Sequence, residues 1–281
     1  MWINLLSLLL LLSSSAFACE EWSGHFLPKT GKKIPVGNKS LGLTKTQFHQ
    51  VIDKLEEIYS KKFKAEGKNL KIVRQWDDPD VNASAIKEGP FHVVNLFGGL
   101  ARHPRISEDG FALVICHELG HHIGGAPLKN QSLNGVTSEG QADYFATLKC
   151  LREVFANDDN DKIRRSMKIP DTVTVACRSV YKTSQEAALC QRISMAGKSV
   201  ANLFADRMEQ LPEFEYPSTW VVSESYDGYP SPQCRLDTYL QGALCDRPLE
   251  EKLSWTDPSV GACHPRHRDQ VGMRPLCWFK P

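Results

Sequence analysis

No excess of either charge marks this chain. Lysine and arginine total 34 against 33 aspartate and glutamate, a formal net charge of +1, so nothing in the composition points to nucleic acid or to an anionic membrane surface. No motif repeats along the 281 residues and no low-complexity tract interrupts them, which sets aside solenoids, propellers and long disordered arms. Beyond the first eighteen residues no apolar run is long enough to cross a bilayer. No two cysteines stand at the Cys-x-x-Cys spacing that thiolate zinc sites favour. What remains is an ordinary globular balance, 41% hydrophobic and 24% charged, enough to bury a substantial core in one large domain or two small ones.

Residues 1–18 read as an export signal. Leu5 to Leu12 is almost all leucine, three serines follow, and Ala16 and Ala18 occupy the small-residue positions that signal peptidase accepts. The amino terminus supplies the only positive charge ahead of that run. Cleavage after Ala18 would leave Cys19 first, the position that carries lipid in lipoproteins. Such sites prefer leucine three residues before the cysteine and a small residue two before, where this chain has Ala16 and Phe17. A soluble exported chain is therefore expected, with a lipid anchor at Cys19 as the alternative.

Export places the nine cysteines in an oxidising compartment, so disulfides are expected rather than thiolate metal sites. Nine is odd. Cys116 falls inside an apolar helical stretch and is expected to be the free, buried thiol. Cys177 and Cys190 are placed to staple two helical segments. The other pairings stay open.

Helical and strand patterns alternate through the first half. Thr44 with Gln47 makes a capping box, and Phe48, Val51, Ile52, Leu55, Ile58 and Tyr59 then share one helical face. Leu70 to Trp76 and Phe91 to Leu100 read as strands. A helix is expected from Glu108 to Ile123, stopped by Gly124-Gly125. Another runs from Glu139 to about Phe155, with Ser138 and Gln141 as its capping box. The acidic stretch 157–162 lacks the glycine and distal glutamate of a calcium loop and reads as a solvated turn. Two helical segments follow Pro170, the second from Gln185 to about Met208. The tail from Tyr216 is rich in proline, aromatics and cysteine and reads as a disulfide-held cap.

The chemistry concentrates at His117-Glu118-Leu119-Gly120-His121. Histidines four apart on a helix share a face and can grip one metal ion, while Glu118 between them can act on a water molecule there. A catalytic zinc site takes three protein ligands and keeps one position open. Glu139 is the expected third ligand. Asp143, four residues on, shares its helix face and can accept the spare ring N–H of a ligand histidine. A metzincin-type third ligand would fall on Pro127, which cannot ligate. His122 is one residue off the metal face and is expected to help position substrate or to sit at the surface.

These motifs resemble those of the gluzincin metallopeptidases and, within them, the HtpX-like family. Val81-Asn82-Ala83-Ser84-Ala85 resembles that family's Asn-Ala-x-Ala lead into its active-site sheet, and Phe91 to Leu100 its following strand. Glu139 to Asp143 resembles its Glu-x-x-Ala-Asp helix. Tyr229-Pro230-Ser231-Pro232-Gln233-Cys234-Arg235 resembles its late His-Pro-x-x-x-x-Arg element. The resemblance covers roughly residues 44–155 and 226–240. It implies that Tyr229 stands where the family's oxyanion-stabilising histidine would be, and that Arg235 supports the site. The family's membrane helices are missing, so a soluble member is implied.

The expectation is an α+β, zincin-like catalytic domain with a small mixed sheet, an active-site helix and a helical C-terminal part, stabilised by disulfides. A signal at 1–18 and an irregular lead-in at 19–43 would precede the domain at 44–281. The expected function is zinc-dependent cleavage of exported or envelope polypeptides, with one zinc per chain and Glu118 as base; Phe91 to Leu100, if it is the sheet edge, could pair with substrate. A catalytically inactive zinc-binding or chaperone-like envelope protein is the alternative. The expected location is periplasmic or secreted.

Overall fold

The computed structural model describes residues 23–28, 31–37, 42–129 and 135–281. The expected signal peptide and Cys19 lie outside the described residues. The fold is mixed α+β, as expected: a small sheet and several helices enclose one deeply buried helix.

Helix α1 (Lys45–Ala65) starts at the Thr44–Gln47 capping box and buries Phe48, Ile52, Leu55, Tyr59 and Phe63 along one stripe. Four strands follow in spatial order β1-β3-β4-β2. They are β1 (Ser23–His25), β2 (Asn69–Gln75), β3 (Ala83–Glu88) and β4 (Phe91–Phe97). The β3–β4 hairpin turns at Gly89, whose φ of +55° suits glycine. β2 runs parallel to β4, and β1 runs antiparallel to β3. The condition for pairing substrate along the strand beginning at Phe91, that it form a sheet edge, is not met. β4 has its backbone paired on both sides, and the edges are β1 and β2. β1 comes from the stretch read as irregular. Three residues are too few to show an alternating pattern.

A single turn α2 (Gly98–Ala101) leads to α3 (Glu108–Ile123), whose first turn is capped by Ser107. Every α3 residue from Gly110 to His122 is buried. A helix apolar on nearly all sides belongs in a core, and α3 packs against α1, the sheet, α4 (Glu139–Phe145) and α8 (Ser184–Phe204). Two glycines permit close approaches around α4. A Cβ at Gly120 would stand 3.1 Å from Ala142 Cα, and one at Gly140 would stand 2.3 Å from the Trp278 ring.

The helix begun by α4 continues through a π-helical turn (Ala146–Cys150) into α5 (Leu151–Val154). The expected Ser138–Gln141 capping box does not form. The Gln141 side chain instead donates to the Gly124 carbonyl and accepts from Arg274, so it ties α4 to the end of α3 and to the tail. The acidic stretch is also less exposed than expected. Asp158 pairs with Lys54 and Arg192, and Asp159 caps α6 (Asn160–Arg165). α7 (Asp171–Val180) and α8 are stapled by Cys177–Cys190, as expected. α8 ends at Phe204, short of Met208. The tail carries α9 (Pro232–Leu244) and is held by Cys234–Cys277 and Cys245–Cys263. Among the described residues no helix is long and apolar enough to cross a membrane.

Cys116 is not free. It bridges Cys150, with both residues fully buried. The expectation failed because it took burial to mean isolation: α3 is buried against another helical segment that carries its own cysteine. The bridge spans 34 residues, and loop-closure entropy for that length amounts to about 3–4 kcal/mol. A Cys116→Ala/Cys150→Ala variant should lose about that much unfolding free energy in a denaturant titration. An unchanged midpoint would show that the bridge does not constrain the unfolded chain.

Candidate metal centre

His117 and His121 stand four positions apart on α3, and their ring centroids are 4.7 Å apart with the rings nearly perpendicular. Each ring is fixed through Nδ1. His117 Nδ1 lies 2.7 Å from Asp143 Oδ1, and His121 Nδ1 lies 2.9 Å from the Thr137 carbonyl. Both partners only accept, so Nδ1 carries the proton on each ring and the Nε2 lone pair is presented. Both Nε2 atoms turn toward Glu139, at 3.3 Å from His117 to Oε2 and 3.6 Å from His121 to Oε1. Donor atoms around a tetrahedral ion with bonds of about 2.0–2.1 Å lie roughly 3.3–3.4 Å apart, so this spacing fits. His117 Nε2 and Glu139 Oε2 are buried without a hydrogen-bond partner. His117, His121 and Glu139 thus form a buried cluster able to hold one metal ion.

The carboxylates around this cluster hold distinct charge states. Burial and the neighbouring Glu139 push the Glu118 carboxyl up to about 8, against His117, Arg235 and Lys129. Both Glu118 oxygens are buried and unbonded, a costly arrangement unless they serve a guest in the site. Burial opposes ionisation of Glu139, yet the two imidazoles and the Lys129 ammonium hold it below the ordinary carboxylate range. Burial lowers His121 to about 3 despite Glu139, keeping the ring neutral. For His117 burial is outweighed by Asp143 and Glu139, which raise it to about 9, so without a metal the ring carries a second proton on Nε2 that a bound cation would displace.

Asp143 is the anchor of the arrangement. Its Oδ1 accepts from His117, from Arg235 at 2.8 Å and from the Tyr239 hydroxyl at 2.8 Å, while Oδ2 lies 2.7 Å from Arg235 Nε. Arg235 is itself buried, with its guanidinium over the Phe204 ring. It stands 3.8 Å from Glu139 Oε2 and so supports both acidic residues.

Two predicted residues lie off the metal cluster. The Tyr229 hydroxyl donates to the His25 carbonyl of β1. Burial raises the Tyr229 phenol above its ordinary range, and the charges of Glu139 and Glu118 add to this. His122 points the other way, one residue around the helix from His121. It is buried rather than at the surface, with Nε2 3.2 Å from the Val93 carbonyl and Nδ1 3.2 Å from His92 Nδ1.

The sequence reading missed Lys129 and Tyr239. Lys129 Nζ lies 2.8 Å from Glu139 Oε1 and leaves Oε2 turned toward His117. No motif signals it. Tyr239 stands one helical turn beyond Arg235, a spacing that could have marked it.

No protein family, curated protein or solved structure matches the chain. The site therefore rests on its own geometry. The purified chain should bind one divalent ion, and Glu139→Ala or His121→Ala should abolish that binding. Asp143→Asn should weaken it by about 10- to 100-fold, the usual effect of removing a partner that orients a ligand. Chelator competition measures all three. Full retention by Glu139→Ala would place the third ligand elsewhere.

Proposed function

We propose that the chain is an exported zinc metallopeptidase of the gluzincin type, similar to the HtpX-like family in its site motifs. One observation carries this reading: Glu118, which the three-donor cluster does not need for binding, is buried beside it with both carboxylate oxygens unbonded. Two imidazoles and one carboxylate are a donor set suited to catalytic zinc. Zinc held there supplies Lewis acidity, which brings a water's pKa toward neutrality.

The chain's own residues do the rest. Glu118, whose ionised form a cation in the site would favour, accepts the proton of the attacking water and returns it to the leaving amine. Asp143 keeps the His117 ring oriented, and Arg235 keeps Asp143 ionised. Lys129 occupies one oxygen of Glu139 and favours ligation through the other. Tyr229 can donate to the developing oxyanion once its hydroxyl leaves the His25 carbonyl. β1 is the sheet edge whose His25 carbonyl Tyr229 engages, and an extended substrate would pair there when that hydroxyl moves away. The four disulfides fit an oxidising, extracytoplasmic location, periplasmic or secreted.

The second reading is a non-catalytic zinc-binding or chaperone-like envelope protein. It is favoured by the burial of His117, Glu118, His121 and Glu139, none more than 1% exposed. One experiment separates the two. Glu118→Gln should keep its zinc and lose turnover of an unfolded protein substrate by about 100- to 10,000-fold. Tyr229→Phe should lose about 100- to 1,000-fold in kcat with little change in KM. Near-normal turnover in Glu118→Gln would sink the catalytic reading. Near-normal turnover in Tyr229→Phe would remove only that residue from the mechanism.

A further inference from the structure

Where α6, α7 and α8 meet, a cavity of about 250 Å³ opens at the start of α8. Three cations line it: Arg164 from α6, Arg178 from α7, and Lys182 from the connection between α7 and α8. Arg178 and Lys182 are exposed, and among the described residues neither is paired with an acid. The one acid among the described lining residues is Asp161, and it is engaged. Ser184 Oγ donates to its Oδ2 at 2.9 Å, and Arg164 Nε stands 4.0 Å from its Oδ1. Glu186, in the first turn of α8, is occupied by the Thr183 cap, accepting from its hydroxyl at 2.7 Å and its backbone N–H at 3.3 Å. Three cations against one acid leave two positive charges in excess.

The buried wall of the cavity is polar too. Gln191 lines it, is 1% exposed, and its Oε1 has no hydrogen-bond partner among the described residues. A buried amide left unpaired costs free energy unless a guest bonds it. Glutamine carries both donors and an acceptor, so it can bond either an oxygen or a hydroxyl of a ligand. α8 is 21 residues long, and its Thr183 cap and Ser184 also line the cavity. The positive end of the helix dipole therefore acts in the same direction as the three cations.

A covalent clip holds these groups in place. Cys177–Cys190 joins α7 to α8 through the residues directly before Arg178 and Gln191. The Tyr181 hydroxyl donates to the Ala243 carbonyl at 2.8 Å, and the Gln185 amide donates to the Asp158 carbonyl at 2.7 Å. A site ordered in advance loses little entropy when it is filled.

We propose that this cavity binds the phosphate group of a small monoester. A phosphate monoester carries close to two negative charges at neutral pH, which matches the positive excess. The guanidinium forks of Arg164 and Arg178 suit paired phosphate oxygens, and Gln191 supplies the hydrogen bond at the buried wall. A monocarboxylate brings one charge and two oxygens, and leaves part of the site unmatched. The cavity shares no residue with the metal cluster, so the proposal stands independently of the peptidase reading.

The test is calorimetric titration of the purified full chain with glycerol 3-phosphate in a phosphate-free buffer, with acetate as the comparison. One glycerol 3-phosphate should bind per chain, at least about tenfold more tightly than acetate, and binding should weaken as sodium chloride is raised. Arg164→Gln with Arg178→Gln should weaken it by about 10- to 100-fold, the size of hydrogen bonds to a charged group, with circular dichroism unchanged. Gln191→Leu should weaken it by about tenfold. Gln191→Glu, which sets a carboxylate on the buried wall, should abolish it. No saturation by about 10 mM, equal affinity for acetate, or undiminished binding in the double arginine variant would overturn the proposal. Unaltered affinity in a folded Gln191→Leu would also overturn it, since the binding would then be to surface charge alone. Vesicles containing phosphatidylglycerol separate a soluble ester from a lipid headgroup. Capture by those vesicles without saturable binding of glycerol 3-phosphate would count against the monoester.

Discussion

The carboxylate of Asp143 accepts hydrogen bonds from three side chains on two helices, and the rest of the site is arranged around it. His117 comes from α3, while Arg235 and Tyr239 come from α9. All of these groups are buried. An ion pair in such surroundings recovers its desolvation cost only when its geometry is complete, and removing one member typically costs about 3–5 kcal/mol. The metal helix, the helix bearing the third ligand and the C-terminal cap therefore have to assemble together. α9 thereby contributes to orienting His117 through Asp143 of α4.

Packing imposes the same conclusion from another direction. α3 lies in the core, so its ligands cannot be placed by a mobile loop. The Cys116–Cys150 bridge begins one residue before His117 and reaches the π-helical turn that continues the Glu139–Asp143 helix. The covalent clip thus joins the two halves of the donor set. Gly120 and Gly140 let α3 and Trp278 approach the helix from two sides. A Cβ at Gly140 would overlap the Trp278 ring, and one at Gly120 would crowd Phe145 and Ala142.

The parts legible in the sequence were those written in local spacing. The apolar run and Gly124-Gly125 bounded α3, and the four-residue steps 117–121 and 139–143 each placed two groups on one helical face. The parts that stayed hidden depend on contacts across the fold. β1 is three residues long, and the interior place of β4 follows from a parallel pairing with β2 that no local pattern announces. Gln141 had the residue type of a capping box, but burial diverted its amide to Gly124 and Arg274. Cys116 found a partner because its neighbour in space was equally buried. Lys129 reaches Glu139 from a connecting segment with no periodicity at all.

Two imidazoles and one carboxylate can hold one metal ion, in a chain whose described cysteines are all committed to disulfides. X-ray absorption on the zinc-loaded protein tests this most directly. The account predicts a first shell of nitrogen and oxygen at about 2.0–2.1 Å with the multiple-scattering pattern of two imidazoles and no sulfur. A sulfur shell near 2.3 Å, or fewer than two imidazoles, would contradict it.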